Sequence, residues 1–136
     1  MKQVFIDSGG FFALLVPQDH SHAAALDVFA RAELEHWSLV TTNIVVVETY
    51  ALLLARTRPG RLAAIGFLDA LQDSGVRIER VRRVDEEGAE TLVRTHDDKD
   101  YSLCDALSFV VMERLGIGEA VAFDRHFRQY GRFRVL

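Results

Sequence analysis

The sequence predicts an α/β domain of three layers, in which a central parallel sheet of about five strands lies between two layers of helices. Short apolar segments alternate along the chain with one or two longer segments of helical periodicity. Parallel strands need crossover connections, and helices supply them. The 136 residues match the usual size of one domain and contain no internal repeat or Pro-rich linker, so residues 1–136 are expected to form a single domain.

The first part of the chain predicts two strands and two helices. Lys2 to Ile6 is short, apolar and followed by a Ser-Gly-Gly turn, which is typical of a buried strand. Helices are expected from near Gly10 to Pro17 and from His22 to His36, the second with apolar residues at helical spacing and Ser21 as its cap. Ser38 to Thr41 predicts the second strand.

The rest of the chain continues the alternation. Asn43 is a suitable N-cap for a largely apolar helix, and Pro59-Gly60 is its stop signal. The later helices are predicted at Arg61 to Asp73, Asp85 to His96 and Ser102 to Leu115, and the later strands at Val76 to Val81, Glu119 to Phe123 and Phe133 to Leu136.

Composition narrows the class of protein. Hydrophobic residues make up 49% of the chain and charged residues 26%, which is typical of a folded globular domain. The single cysteine, Cys104, excludes an intramolecular disulfide and a Cys-rich zinc site. No apolar stretch reaches the length of a membrane span, so we expect a cytoplasmic protein with no membrane partner.

Two aspartates directly follow predicted strands. Asp7 comes after Val-Phe-Ile, and Asp124 after Ala-Val-Ala-Phe. Ligands of open α/β sheets bind beyond the carboxyl ends of the strands, where both side chains would lie. Each could instead be a helix N-cap, which leaves both interpretations open for either residue taken alone.

Two further acids come from predicted helices. Asp105 stands three residues after Ser102, as in a capping box, so a structural role explains it equally well. Glu48 lies between Val45-Val46-Val47 and a Leu-rich segment, where an unpaired charge would be costly to bury. A buried salt bridge or a position at the amphipathic edge of the helix would explain Glu48, and so would a bound cation.

Four acids that converge on one point would repel one another unless a cation lay between them. Carboxylate oxygens suit Mg²⁺ or Mn²⁺, and Mg²⁺ sites in proteins usually combine a few carboxylates with water and substrate phosphates. Such an ion promotes phosphodiester hydrolysis. Asp124 or Glu48 could orient the attacking water, and the sequence leaves that choice open.

Other chemistries lack their motifs. The chain has no GxxxxGK[ST] or GxGxxG segment, no G-x-S-x-G elbow and no HExxH pair among its five histidines. Receiver-like and phosphatase-like domains would need an aspartate beside Asp7 or a lysine late in the chain, and the only lysines are Lys2 and Lys99. The net charge of −4 argues against a surface that is basic throughout, although arginines cluster locally.

Four separated motifs resemble those of one known family. These are VFIDSGGFFALL, TTNIVVVETYALL, DKDYSLCDALSFVVMERLGI and AVAFDRHFRQYG. Together they span the whole chain, which resembles a PIN-domain protein of the VapC type, the ribonuclease toxin of toxin-antitoxin pairs. The resemblance implies a PIN-like domain and a metal-dependent endoribonuclease.

The resemblance also implies roles for particular residues. The acidic metal-site residues of the family correspond to Asp7, Glu48, Asp105 and Asp124, which are expected to be catalytic and to bind Mg²⁺ or Mn²⁺. Secondary candidates for positioning substrate or water are Ser8, Thr41, Asn43, Asp100, Arg125 and Arg128. The chain departs from the family at Ala122, where members often have Thr or Ser, so the site lacks one hydroxyl.

Partners follow from the same resemblance. Proteins of this kind form homodimers and are inhibited by a small VapB-type antitoxin whose C-terminal segment occupies the active-site groove. RNA would be held chiefly through its phosphates, with Arg125 and Arg128 beside Asp124 as candidates. The alternative is a non-catalytic PIN-like module that binds RNA or protein, and the presence of all four acids argues against it.

Overall fold

A computed structural model describes all residues from Met1 to Leu136. The strands are β1 (Gln3–Ile6), β2 (Ser38–Thr42), β3 (Arg77–Glu79), β4 (Glu119–Val121) and β5 (Arg134–Val135). The helices are α1 (Ser8–Leu15), α2 (His22–Leu34), α3 (Asn43–Arg56), α4 (Gly60–Asp73), α5 (Arg83–Thr95), α6 (Leu103–Leu115) and α7 (His126–Tyr130).

The five strands form one sheet in the order β3-β2-β1-β4-β5, and every neighbouring pair is parallel. The chain starts in the centre of the sheet, moves outward to β3, and crosses back to β4 on the other side of β1. The predicted α/β/α architecture with about five parallel strands is therefore confirmed. The strand order reverses beside β1, and ligands of open α/β sheets bind in the crevice at such a point, here beyond the carboxyl ends of β1 and β4.

The apolar core holds the helices against this sheet. Its largest fully buried side chains include Phe5 and Ile6 on β1, Phe109 on α6 and Phe127 on α7. Helix α3 packs on α1 and α4, and α5 packs on α6. The apolar residues of α6 surround the helix rather than forming one stripe, as expected of a helix buried on most faces.

One glycine allows a close approach of α1 to the sheet. A Cβ atom at Gly10 would lie 2.9 Å from the backbone oxygen of Val121 and 3.2 Å from the side chain of Ile6. Only a residue without a side chain fits there, because real Cβ atoms do not approach a carbonyl so closely. The close packing brings the start of α1 directly beside the end of β4.

A partly buried ion-pair network links α5, α6 and β3. The guanidinium of Arg114 donates to both oxygens of Asp85 at 2.8 Å and to Glu79 at 2.9 Å. Hydrogen bonds from Arg114 are the largest cause of the lowered pKa values of both carboxyls. Asp85 also accepts a hydrogen bond from the backbone of Arg82 at 2.9 Å, which caps the start of α5.

The observed elements differ from the predicted ones mainly at their ends. Thr42, rather than Asn43, caps α3, because the Thr42 hydroxyl accepts a hydrogen bond from the Val45 backbone. Ser21 occupies the N-cap position of α2 but makes no side-chain capping bond. Helix α7 was not predicted, since its five residues are too few to show a period.

No helix in the structure combines the length and the apolar character needed to cross a membrane.

Candidate metal centre at the carboxyl ends of the central strands

Two acids reach the crevice from adjacent strands. Asp7 directly follows β1, and its backbone amide donates to the carbonyl of Val121 at the end of β4, at 3.1 Å. Asp124 lies three residues after that strand end. The two parallel strands end at the same edge of the sheet, so both carboxylates belong to one site.

Two more acids enter the site from helices. Glu48 lies on α3 and Asp105 in the first turn of α6, and these helices contact each other. The charges of Asp124, Asp105 and Glu48 all act on Asp7 and raise its pKa. The structure therefore brings the four predicted acids together.

Asp7 is the most deeply buried acid of the cluster, with 1% of its surface exposed. Neither carboxylate oxygen has a hydrogen-bond partner, although Asp7 occupies the N-cap position of α1. Burial first, and then the neighbouring acids, raise the pKa of Asp7 well above its usual range, while the backbone amide of Ser8 only partly offsets them. The capping alternative for Asp7 therefore does not apply.

Glu48 is oriented by the residue that follows Asp7. The hydroxyl of Ser8 donates a short hydrogen bond to Glu48 Oε1, which joins α1 to α3. The Cys104 thiol is also buried beside the cluster, and burial followed by the charges of Glu48 and Asp7 raises its pKa far above the usual range. Cys104 is therefore a neutral thiol, which adds no negative charge to the site.

Asp105 serves a capping box and the cluster together. Its Oδ2 accepts a hydrogen bond from the Ser102 backbone at 3.1 Å, while its own amide donates to the Ser102 hydroxyl at 3.0 Å. The same Oδ2 atom lies 2.5 Å from Nδ1 of His126. The capping box predicted for Asp105 is therefore present, and it fixes the carboxylate at the start of α6 without removing it from the site.

Asp124 forms the exposed side of the cluster. Its Oδ1 accepts a hydrogen bond from the backbone amide of His126 at 2.8 Å, which fixes the carboxylate at the start of α7. Desolvation, and next the charge of Asp105, raise the pKa of Asp124 despite this bond. The open side leaves room for a substrate to reach the acids.

The donor set fits a hard divalent cation. One donor atom from each of Asp105, Asp124 and His126 lies within 4.8 Å of the others. The orphaned oxygens of Asp7 are the strongest sign, because buried carboxylates are normally paired, hydrogen-bonded or bound to metal. Asp7, Glu48, Asp105 and Asp124 would together hold such an ion, for which oxygen ligands suit Mg²⁺ or Mn²⁺.

Two of the secondary candidates make structural contacts instead of facing the acids. The Thr41 hydroxyl donates to the backbone oxygen of Ile6 at 2.8 Å, linking β2 to β1. The Asn43 side chain accepts a hydrogen bond from the Val81 backbone at 2.9 Å, which holds the segment after β3. Both residues therefore shape the sheet edge on which the cluster stands.

Three further secondary candidates are on the surface, whereas Ser8 is buried against Glu48. Asp100, Arg125 and Arg128 are all exposed, and none of them takes part in an ion pair. Arg125 follows Asp124 directly, and Arg128 lies in α7. Their positive charges are free to contact a polyanion beside the open side of the cluster.

The comparison with family models identifies the chain as a whole. The PIN domain model matches residues 4–133, so the chain belongs to the PIN-domain family. It is similar to the 23S rRNA-specific endonuclease VapC20 of Mycobacterium tuberculosis, with 36% identity over 129 residues and 94% of each protein covered.

Solved structures agree with this assignment. The crystal structure of Mycobacterium tuberculosis VapC20, described as a sarcin-ricin loop cleaving toxin, matches with a TM-score of 0.88 and 33% identity, over 97% of this chain and 98% of that one. FitAcB of Neisseria gonorrhoeae matches with a TM-score of 0.65 and 17% identity, over 98% and 96% of the chains, which shows the shared fold alone. The predicted VapC-type resemblance is confirmed, and the predicted nuclease class agrees with the name of VapC20.

Proposed function

We propose that this chain is a metal-dependent endoribonuclease that hydrolyses RNA phosphodiester bonds and acts as the toxin of a toxin-antitoxin pair. The observation that carries the proposal is the Asp7 carboxylate, buried without a hydrogen-bond partner among three other acids. The 36% identity to an RNA endonuclease over nearly the whole chain supports the same reaction. The acids proposed to be catalytic are Asp7, Glu48, Asp105 and Asp124.

Each acid has a distinct part in the proposed site. A bound Mg²⁺ or Mn²⁺ ion would supply positive charge to the scissile phosphate and favour ionisation of nearby water. Asp7 lies innermost, while the Ser8 hydroxyl restricts Glu48 and the Ser102 backbone restricts Asp105. Asp124 faces solvent, so it is placed to orient a water molecule that enters with the substrate.

The proposed substrate is 23S ribosomal RNA, in the sarcin-ricin loop. This proposal comes from the activity for which VapC20 is named, since the chain is 36% identical to that protein. Arg125 and Arg128 would contact backbone phosphates of the loop on the open side of the cluster, since both guanidinium groups are exposed and unpaired. Such contacts position RNA without reading its sequence.

We also propose a VapB-type antitoxin as the inhibitor and a homodimer as the assembly. An antitoxin segment that carries a cation could enter the crevice and pair with the cluster. For self-association, α3 offers apolar side chains to solvent, since Val47 is 66% exposed and Leu54 48% exposed. Residues seven positions apart lie on the same face of an α-helix, so these two side chains belong to one exposed apolar stripe that a second copy could cover.

The test is cleavage of ribosomes by the purified chain in Mg²⁺, in Mn²⁺ and in EDTA. Primer extension across 23S ribosomal RNA is expected to show one new metal-dependent end in the sarcin-ricin loop. Asp7→Asn is expected to abolish that end, whereas the exposed-site variant Asp69→Asn is expected to keep it. A cut in another RNA would keep the nuclease proposal and change the substrate.

The competing function is a PIN-like module that binds RNA or protein without cutting. RNA binding with no cleavage in either metal, by wild type and Asp7→Asn alike, would favour this module. Gel-shift and cleavage assays on the same samples separate the two outcomes.

A further inference from the structure

His126 is positioned among the acids by two separate bonds. Its Nδ1 atom lies 2.5 Å from Asp105 Oδ2, and its backbone amide donates to Asp124 Oδ1 at 2.8 Å. One donor atom from each of the three residues lies within 4.8 Å of the others. The imidazole therefore lies beside two of the four acids, Asp105 and Asp124.

The ring is also held from outside the cluster. Tyr101 packs edge-on against it, with ring centroids 5.5 Å apart and planes at 83°. The His126 side chain is only 19% exposed. A ring fixed by packing against Tyr101 and by its contact with Asp105 is pre-organised, whereas a solvated histidine would lose conformational entropy on binding a ligand.

The hydrogen bonds of His126 do not supply a partner for every acid of the cluster. The imidazole contacts Asp105 and the His126 backbone contacts Asp124, but Asp7 keeps both of its buried oxygens without a partner. His126 therefore leaves the buried oxygens of Asp7 unpartnered, and a cation in the cluster would supply their partner. Any cation that also reaches Asp105 and Asp124 would have the imidazole within its surroundings.

We propose that His126 is a nitrogen ligand of the site, completing a mixed nitrogen and oxygen set with Asp105 and Asp124. This inference rests on the proposed metal site. Carboxylates suit Mg²⁺ and Mn²⁺, whereas imidazole favours transition ions and does not favour Mg²⁺. His126 should therefore move the preference of the site away from Mg²⁺ and toward Mn²⁺ and the later divalent ions.

Mn²⁺ is a direct probe of this ligand set, because electron spin echo modulation detects nitrogen bonded to the ion. The protein would be prepared with natural and with ¹⁵N-labelled histidine and loaded with less than one equivalent of Mn²⁺. The modulation is expected to change from a ¹⁴N to a ¹⁵N pattern on labelling. His126→Phe, which keeps a ring against Tyr101, is expected to remove it.

His96→Phe is the matched control, because His96 also packs against Tyr101, at 5.7 Å between centroids, but bonds to the Leu92 carbonyl. It should keep the nitrogen signal. His126→Phe should weaken Mn²⁺ binding by calorimetry at least about tenfold, and Mg²⁺ binding by less.

Two results would overturn the assignment of His126 as a ligand, and only the second would also contradict the proposed metal site. Tight Mn²⁺ binding without a histidine nitrogen signal, or with a signal that survives His126→Phe, would remove His126 from the ligand set and leave the acidic metal site intact. If the wild type does not bind Mn²⁺, both the His126 assignment and the proposed metal site are wrong. RNA cleavage in EDTA would confirm that the proposed metal site is wrong.

Discussion

The hydroxyl of Ser8 donates a hydrogen bond to Glu48 Oε1, a residue 40 positions later in the sequence, and so joins α1 to α3. Ser8 directly follows Asp7, the innermost acid, and Glu48 is itself an acid of the cluster. Ser8 therefore restricts the rotation of Glu48 in the same crevice that buries Asp7. A residue of this kind acts on catalysis by positioning another.

Ser8→Ala should lower kcat/KM for RNA cleavage about tenfold, because partners that orient metal-site carboxylates typically contribute a factor of this size. The matched control is Ser21→Ala, since Ser21 stands at a helix start without a side-chain capping bond. Steady-state cleavage of a fluorescent RNA hairpin measures both variants. Equal rates for the two variants would show that Glu48 needs no orientation from Ser8.

Asp7→Asn should stabilise the metal-free fold, because it removes a buried charge that lacks a partner. We expect the free energy of unfolding in EDTA to rise by about 1–3 kcal/mol. Excess Mn²⁺ should then stabilise the wild type by about 2.7 kcal/mol at one hundred times Kd and the variant by much less. Urea unfolding with and without metal tests both parts, and a less stable variant in EDTA would contradict the first.

The same charge predicts a pH dependence. Asp7 has a raised pKa in the folded state, so the folded protein binds its proton more tightly than the unfolded chain. The stability from this group is complete below the unfolded pKa of about 3.9 and is lost as the pH rises through the raised value. In EDTA, the stability difference between wild type and Asp7→Asn should grow as the pH rises from about 4, and a constant difference would contradict the assignment.

Arg114→Leu should destabilise the fold by about 3–5 kcal/mol, because it leaves the carboxylate of Asp85 buried without its partner. The control is Arg132→Leu, since that arginine forms an exposed pair with Glu113 and should contribute less than about 1 kcal/mol. Chemical denaturation measures both. Similar losses of unfolding free energy for the two variants would show that the ion pairs of Arg114 stabilise the fold no more than an exposed ion pair does.

Two glycines provide an opposed pair of alanine substitutions. Gly10→Ala should destabilise the protein by about 1–3 kcal/mol, because its Cβ would lie 2.9 Å from the Val121 carbonyl. Gly66→Ala, in the middle of α4 with no atom within 4 Å, should stabilise it by about 0.5–1 kcal/mol. Thermal unfolding distinguishes the signs, and a neutral Gly10→Ala would show that α1 can shift away from β4.

The acids could be predicted from sequence because chain topology largely determines their positions. Asp7 and Asp124 follow apolar strands, and parallel strands end at a common edge, so no detail of packing was needed to bring them together. Glu48 was visible in the sequence as a charge within an apolar helix. The resemblance to the family then identified Asp105, whose capping box alone was ambiguous.

The contacts that the sequence did not predict depend on side-chain direction and on long-range packing. His126 stands two residues after Asp124, but only the short turn of α7 aims its ring at Asp105. The pairing of Arg114 with Asp85 joins positions 29 residues apart, with no local pattern to indicate it. From the sequence alone, the hydroxyl of Thr41 could point toward the crevice or toward Ile6. The register of β2 against β1 places it against the backbone oxygen of Ile6.

The two edge strands of the sheet restrict how this protein can associate with other chains. Strand β3 has three residues and carries the paired Arg77 and Glu79, and strand β5 has two residues. Short, charged edge strands are poor templates for adding a foreign strand, which protects against amyloid-like stacking. Association by strand addition is therefore disfavoured at both edges, which leaves the helical faces as the surfaces for contacts with other chains.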